Sequence, residues 1–207
     1  MANEKLDLMK LHKADYAATG SPRILDVAPA RYLAVVGQGA PGGEEFGRKV
    51  GALYAVAFTT KMARKAEGRD YGVGKLEGLW WCDEAPGWEF AHAPRDLWQW
   101  KLLIRTPDFV TDVDVATAAK ALAARGKTEP VGGVRLETLA EGTCVQVLHT
   151  GPYDAETDTI RGMHAFAEAE GYAFHGRHHE IYVNDPSRTA PEKLRTILRH
   201  PVCPRPG

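Results

Sequence analysis

Leu97-Trp98-Gln99-Trp100-Lys101-Leu102-Leu103-Ile104-Arg105 alternates as a strand does. Successive side chains of an extended chain point to opposite sides, so Trp98, Trp100, Leu102 and Ile104 share one face, and Gln99, Lys101 and Arg105 the other. Upstream, Leu76-Glu-Gly-Leu-Trp80-Trp81-Cys82 reads as a neighbouring strand, joined to the first through Asp83-Glu-Ala-Pro-Gly and Trp88. All five tryptophans lie between positions 80 and 100. An indole offers a large apolar face and one N–H donor, which suits it to lining pockets. Five in two neighbouring strands predict a wall for a flat, apolar ligand, with Trp80, Trp81, Trp98 and Trp100 as its candidates. The plainer alternative is an aromatic core hairpin. Trp80 and Trp81 are adjacent and cannot both face the cleft from a regular strand, so at least one belongs to the core.

Outward from this pair the pattern brackets a helix. Ile24 to Gly39 is strand-like, and Gly37-Gln-Gly-Ala-Pro-Gly-Gly43 is a long turn signal. Glu44 and Glu45 open a helix at the end where its dipole favours negative charge. Phe46, Val50, Leu53, Tyr54 and Ala57 then recur at the period of a buried stripe, to about Lys65. Beyond a helical connector at 111–126 the grammar repeats. Cys144-Val-Gln-Val-Leu-His149-Thr-Gly151-Pro152 echoes Leu33-Ala-Val-Val-Gly-Gln-Gly39-Ala-Pro41. A helix with Ile160, Met163 and Ala167 on one face follows, then strands over Gly176–Pro186 and Lys193–Leu198. Strand–helix–strand–strand thus occurs twice, over roughly 24–110 and 134–202. This predicts one α+β domain over 1–207, built of two duplicated units with a cleft at their junction. Residues 4–16 read as one short helix, too short for a helix-turn-helix domain.

The totals narrow the function. A formal net charge of −1, with no block of Lys and Arg, gives no footprint for DNA or RNA. No apolar run is long enough to span a bilayer, and the charged start lacks the core of a secretory signal. Three cysteines, Cys82, Cys144 and Cys203, leave one over in any disulfide scheme. A reducing cytoplasm is the expected compartment.

The strongest site candidate lies in the second unit. His178, Glu180 and Tyr182 share one face of a strand, and His179, Ile181 and Val183 the other. Ile181 and Val183 are expected to pack against the helix, which turns Glu180 away from it, toward the aromatic cleft. Desolvation there would raise its affinity for protons or for a cationic partner; a solvated carboxylate on a sheet edge is the alternative. Tyr153, just beyond His149 and the Gly151-Pro152 turn, can hydrogen-bond a ligand oxygen or orient water at the cleft mouth. Tyr182 and His149 complete the candidate ligand-binding set. His175-x-x-His178-His179-Glu180 invites a metal reading, but adjacent histidines face opposite ways and no second cluster converges on them, so no metal and no other cofactor is expected. The glycine-rich turn lacks the Gly-Lys-Ser/Thr ending and the Rossmann spacing, and no Gly-x-Ser-x-Gly elbow occurs.

Arg31-Tyr-Leu-Ala-Val-Val-Gly-Gln-Gly39, Leu76-Glu-Gly-Leu-Trp-Trp81, Trp98-Gln-Trp-Lys101, His179-Glu-Ile-Tyr-Val-Asn-Asp-Pro186 and Pro191-Glu-Lys-Leu-Arg-Thr-Ile-Leu198, in this order, resemble stand-alone GyrI-like proteins over nearly the whole chain. The resemblance implies two pseudo-symmetric βαββ units with a ligand cleft between them. It implies that Glu180 matches the buried glutamate that serves drug-binding relatives as counter-ion to lipophilic aromatic cations. It also implies kinship with hydrolases of cyclopropane-bearing DNA-alkylating natural products, for which Glu180 would be the base on water and Tyr153 its partner. A non-catalytic multidrug sensor or sequestering protein is the alternative. The expected partner is an aromatic small molecule, with no nucleic acid and no membrane.

Overall fold

A computed structural model describes residues 5–85, 92–126 and 131–205; Trp88 lies outside them. The chain runs α1 (Leu8–Leu11), α2 (Lys13–Tyr16), β1 (Arg23–Val27), β2 (Ala30–Gln38), α3 (Glu44–Ala66), β3 (Leu76–Trp81), β4 (Gln99–Arg105), α4 (Asp112–Ala123), β5 (Arg135–Leu139), β6 (Gly142–Thr150), α5 (Glu156–Ala169), β7 (Tyr172–Phe174), β8 (His178–Tyr182) and β9 (Arg195–Pro204). Two units of strand, helix, strand and strand are therefore present, β2-α3-β3-β4 and β6-α5-β8-β9. The helix expected over 4–16 is instead two turns, α1 and α2, broken at His12, whose backbone leaves the helical region. The strand-like run from Ile24 splits at Ala28-Pro29 into β1 and β2. β5 and β7 are elements that the sequence pattern did not reveal.

The named strands all pair antiparallel, in the order β1-β6-β9-β8-β3-β4-β2-β5, with β7 added to β9. The two ends of this sheet are one ribbon. Val27 of β1 faces Gly142 of β6, and three residues on Ala30 of β2 faces Leu139 of β5, in the same register. Two chain-continuous strands thus join the sheet's first and last members, and the sheet curls shut. Flat, six strand spacings would separate β1 from β2 by about 29 Å. The two-residue link between them spans at most about 11 Å.

One face of the curled sheet carries the helices. Leu53 and Val56 of α3 pack on Leu33, Trp100, Leu102 and Ile104, and α4 adds Val115, Ala118 and Leu122 to the same core. Ile160, Met163 and Ala167 of α5 pack on Val145, Val147 and Leu198. The other face is the inside of the curl, with Tyr32, Ala34, Leu79 and Leu103. It also holds ions: His179 sits between Glu77 (3.1 Å) and Glu141 (2.9 Å), and Arg199 bonds Glu141 at 2.9 Å. The N-terminal segment closes this interior, through Tyr16 Oη donating to Glu77 and Arg105 pairing with Asp15. A cavity of about 340 Å³ remains on the inner face, lined in part by Tyr32, Leu79, Lys101, Leu103 and Leu139.

This arrangement corrects the expected orientation of β8. Ile181 is buried on the inner face, opposite Glu77 and Ile197, and Glu180 lies on the helix-bearing face, opposite Gly78 and Leu198. The alternation is as expected. The inside takes Ile181 beside Ile197, and on the helix-bearing face Glu180 is bonded by Tyr182 and lies beside Glu156 of α5.

Candidate functional site

β3 and β8 meet at the middle of the sheet, at the seam between the two units, where Trp80 pairs with His178 and Gly78 with Glu180. Gly78 leaves room above the strand: a β-carbon there would lie 2.8 Å from Trp80 Nε1 and 3.3 Å from Tyr182 Oη. In that space Trp80 Nε1 donates to Tyr182 Oη (3.2 Å), and Tyr182 Oη donates to Glu180 Oε2 (2.8 Å). The other oxygen, Glu180 Oε1, lies 3.5 Å from His178 Nε2, and the Glu180 side chain is 12% exposed. An indole of the first unit thus fixes a carboxylate of the second through a phenol.

A second carboxyl joins it. Glu156, the first residue of α5, is buried, and its Oε1 has no hydrogen-bond partner. Ligating atoms of Glu156, His178 and Glu180 all lie within 4.8 Å of one another, the one such convergence of His, Cys, Asp and Glu among the described residues. Burial, then the neighbouring Glu180 charge, pushes the Glu156 carboxyl well above its usual range. Burial and then Glu180 also raise Tyr182 strongly, and burial with Glu180 and Glu156 pushes Tyr153 up to about 12. Both phenols therefore stay protonated donors. Glu156 escaped sequence analysis because an acidic residue in a helix's first turn has an ordinary explanation in the helix dipole.

Aromatic rings enclose these groups. Phe46 of α3 stacks on Trp80 at 5.9 Å, Trp98 meets Trp80 edge-on at 5.9 Å, and half-exposed Tyr153 meets Tyr182 edge-on at 5.8 Å. At the rim Arg95 lies over Trp98 and reaches across the units to Asp154 (2.6 Å).

The candidates from sequence separate. Glu180, Tyr182, Tyr153, Trp80 and Trp98 come together. Trp100 is fully buried, edge-on to Phe46, with its indole N–H on the Gly39 carbonyl, so it forms core beneath the site. Trp81 points to the inner face, under the Arg177 guanidinium at 3.5 Å. His149 is buried, with Nδ1 2.8 Å from Thr159 Oγ1 and Nε2 3.3 Å from the Pro152 carbonyl, and so holds the turn that carries Tyr153. The structure adds Phe46 and Glu156 to the set.

The family model of the GyrI-like small molecule binding domain matches residues 21–202. Among solved structures, the chain is similar to an uncharacterized conserved protein from Listeria innocua at 37% identity and a TM-score of 0.89, covering 96% of this chain and all of that one. A hydrolase from the same organism is 37% identical with a TM-score of 0.85, over 96% of this chain and all of its own. A further Listeria innocua structure named as a hydrolase is 36% identical with a TM-score of 0.87, over 97% and 100% of the two chains. No curated protein matches.

Proposed function

The chain belongs to the GyrI-like small molecule binding domain family, and from that premise we propose that its seam binds flat, hydrophobic, often cationic molecules and hydrolyses those carrying an electrophilic cyclopropane. The observation that carries the proposal is Glu180, a largely buried carboxylate held by Tyr182 among Trp80, Trp98 and Tyr153. Such a group favours a cation beside it, and an indole face adds roughly 0.5–2 kcal/mol of cation–π attraction. The two Listeria relatives named as hydrolases support a reaction at this site.

For a cyclopropane conjugated to a dienone, water attacks the strained ring carbon and Glu180 takes its proton. The carbon–carbon bond breaks, and its electron pair moves into the dienone, leaving a phenolate that takes a proton from solvent. Tyr153 hydrogen-bonds the water or the substrate. A positioned base contributes typically about 10²–10⁴-fold.

The tests are direct. Titration with a rhodamine-like dye should quench tryptophan emission, and Glu180→Gln should weaken dye binding; unchanged affinity would remove the counter-ion role. Ring opening should run faster with protein than in buffer and slow in Glu180→Gln. Dye binding without any acceleration would leave a sequestering protein.

A further inference from the structure

We propose that Glu156 and Glu180 act as one cation-binding pair, which holds a proton while the cleft is empty and releases it when an organic cation enters. The proposal rests on reading the seam as a cation site and adds to it a second carboxylate and a proton exchange.

The geometry supplies the reason. The two carboxyls arrive from different elements, α5 and β8, and converge on one point. Glu156 is 5% exposed and its Oε1 is unpartnered, so water and protein offer little to a full charge there. Two buried carboxylates this close cannot both ionise without a counter-charge. The groups that face Glu156 are Glu180, His178 and Tyr182 of β8, Thr196 of β9, and Tyr153 and Asp154 of the preceding turn. Among the described residues no lysine or arginine ion-pairs with either carboxyl, and Arg95 is engaged at the rim with Asp154. A proton meets the need in the empty site, in keeping with the upward displacement of Glu156.

An organic cation lying on Trp80 or Trp98 supplies the same positive charge. With it in place both carboxyls are favoured as carboxylates, and the Glu156 proton passes to solvent. A neutral aromatic of the same size brings no charge and displaces no proton. The pair therefore makes the site selective for cations in a pH-dependent way: where Glu156 is protonated, cation affinity should fall about tenfold for each unit that pH is lowered.

Calorimetry with rhodamine 6G as the cation and a neutral coumarin dye as the control, in buffers of different ionisation enthalpy, counts the protons. At about pH 6 the wild type should release close to one proton per bound rhodamine and none with coumarin. Glu156→Gln, isosteric and checked for a native near-ultraviolet spectrum, should bind rhodamine with no proton release and with affinity that no longer depends on pH. Glu180→Gln should bind it weakly and release none. Wild-type binding without proton exchange overturns the pair. So does release in Glu156→Gln equal to the wild type, which would place the proton on His178, and so does displacement of the proton by Zn²⁺ alone with no effect of rhodamine. If rhodamine fails to bind the wild type at all, the cation reading of the seam falls, and the pair with it.

Discussion

His178 and His179 are neighbours in sequence and end in different chemistry, because a strand turns them to opposite faces. His178 joins Glu180 and Glu156 at the seam. His179 is locked inside the curl, where burial disfavours its charge but Glu141 and then Glu77 overcome burial and raise it to about 9. Glu141 is raised by burial, and His179 and Arg199 more than reverse that, holding it at about 2. A raised histidine stabilises the fold fully below its ordinary 6.5, and that stability is lost as pH rises through about 9. A depressed carboxyl contributes above its ordinary 4.5 and loses its contribution as pH falls toward 2. His164, lowered to about 4 by burial and His178, is neutral in the fold and penalises acid conditions below 6.5. The melting midpoint should therefore be highest near pH 6.5 and decline toward about pH 9.5 in calorimetric scans. His179→Gln should cost about 3–5 kcal/mol near pH 6.5, since it leaves buried Glu77 with a hydrogen bond from Tyr16 but no ion-pair partner and takes one of two cations from Glu141, and should lack the alkaline decline. A wild-type midpoint that stays flat across that range would show that His179 carries no such charge.

At the scale of elements, two glycines in strands are decided by tryptophans. Gly37 of β2 faces Trp100 of β4, and any β-carbon at Gly37 would occupy the indole ring. Gly78 of β3 makes the space in which Trp80, Tyr182 and Glu180 bond. The two substitutions should separate stability from function. Gly37→Ala should lower unfolding stability by about 1–3 kcal/mol in urea titration, the usual range for overpacking, while the bond from Tyr182 to Glu180 remains. Gly78→Ala should instead weaken dye binding about tenfold or more, which corresponds to one disrupted hydrogen bond of about 1.4 kcal/mol. Equal dye affinity in Gly78→Ala and wild type would separate the Trp80–Tyr182 bond from ligand recognition. The three longer helices, α3, α4 and α5, were plain in the sequence. α3 carries its stripe at the 3.6 period, and α4 starts on a capping box in which Thr111 and Asp114 bond each other's backbone N–H. β5 was not plain, because Arg135-Leu-Glu-Thr-Leu139 is short and half-exposed.

For the whole molecule, the continuous ribbon of β1–β2 against β5–β6 closes the sheet on one side, and the β3–β8 seam joins the units on the other. At that seam the Glu156 and Glu180 carboxyls converge, beside Trp80 with Phe46 of α3 stacked on it. The exposed Arg95–Asp154 pair spans the seam at the rim, and Tyr153 stands beside it. Arg95→Ala should therefore raise both the association and the dissociation rate of a dye in stopped-flow fluorescence, with little change in melting midpoint, because exposed ion pairs add little stability. Unaltered rates would mean that entry does not pass between Arg95 and Asp154.

By itself the sequence determined the local structure and the family. Alternation in β4 and β8, the helical stripe of α3, the repeated strand–helix–strand–strand order and the Glu-Ile-Tyr run are short-range patterns, set by side-chain period and turn chemistry. They were enough to place Glu180, Tyr182 and Tyr153 in one unit and the tryptophans in the other. The tertiary structure alone decided which face of the sheet is inside. That choice put Ile181 and His179 in the interior, sent Trp81 beneath Arg177, buried Trp100 under α3, and brought Glu156 from the start of α5 to Glu180. No sequence spacing encodes these contacts, because they join positions far apart in the chain through the curl of the sheet, and burial at the seam raises the proton affinity of the Glu156 carboxyl.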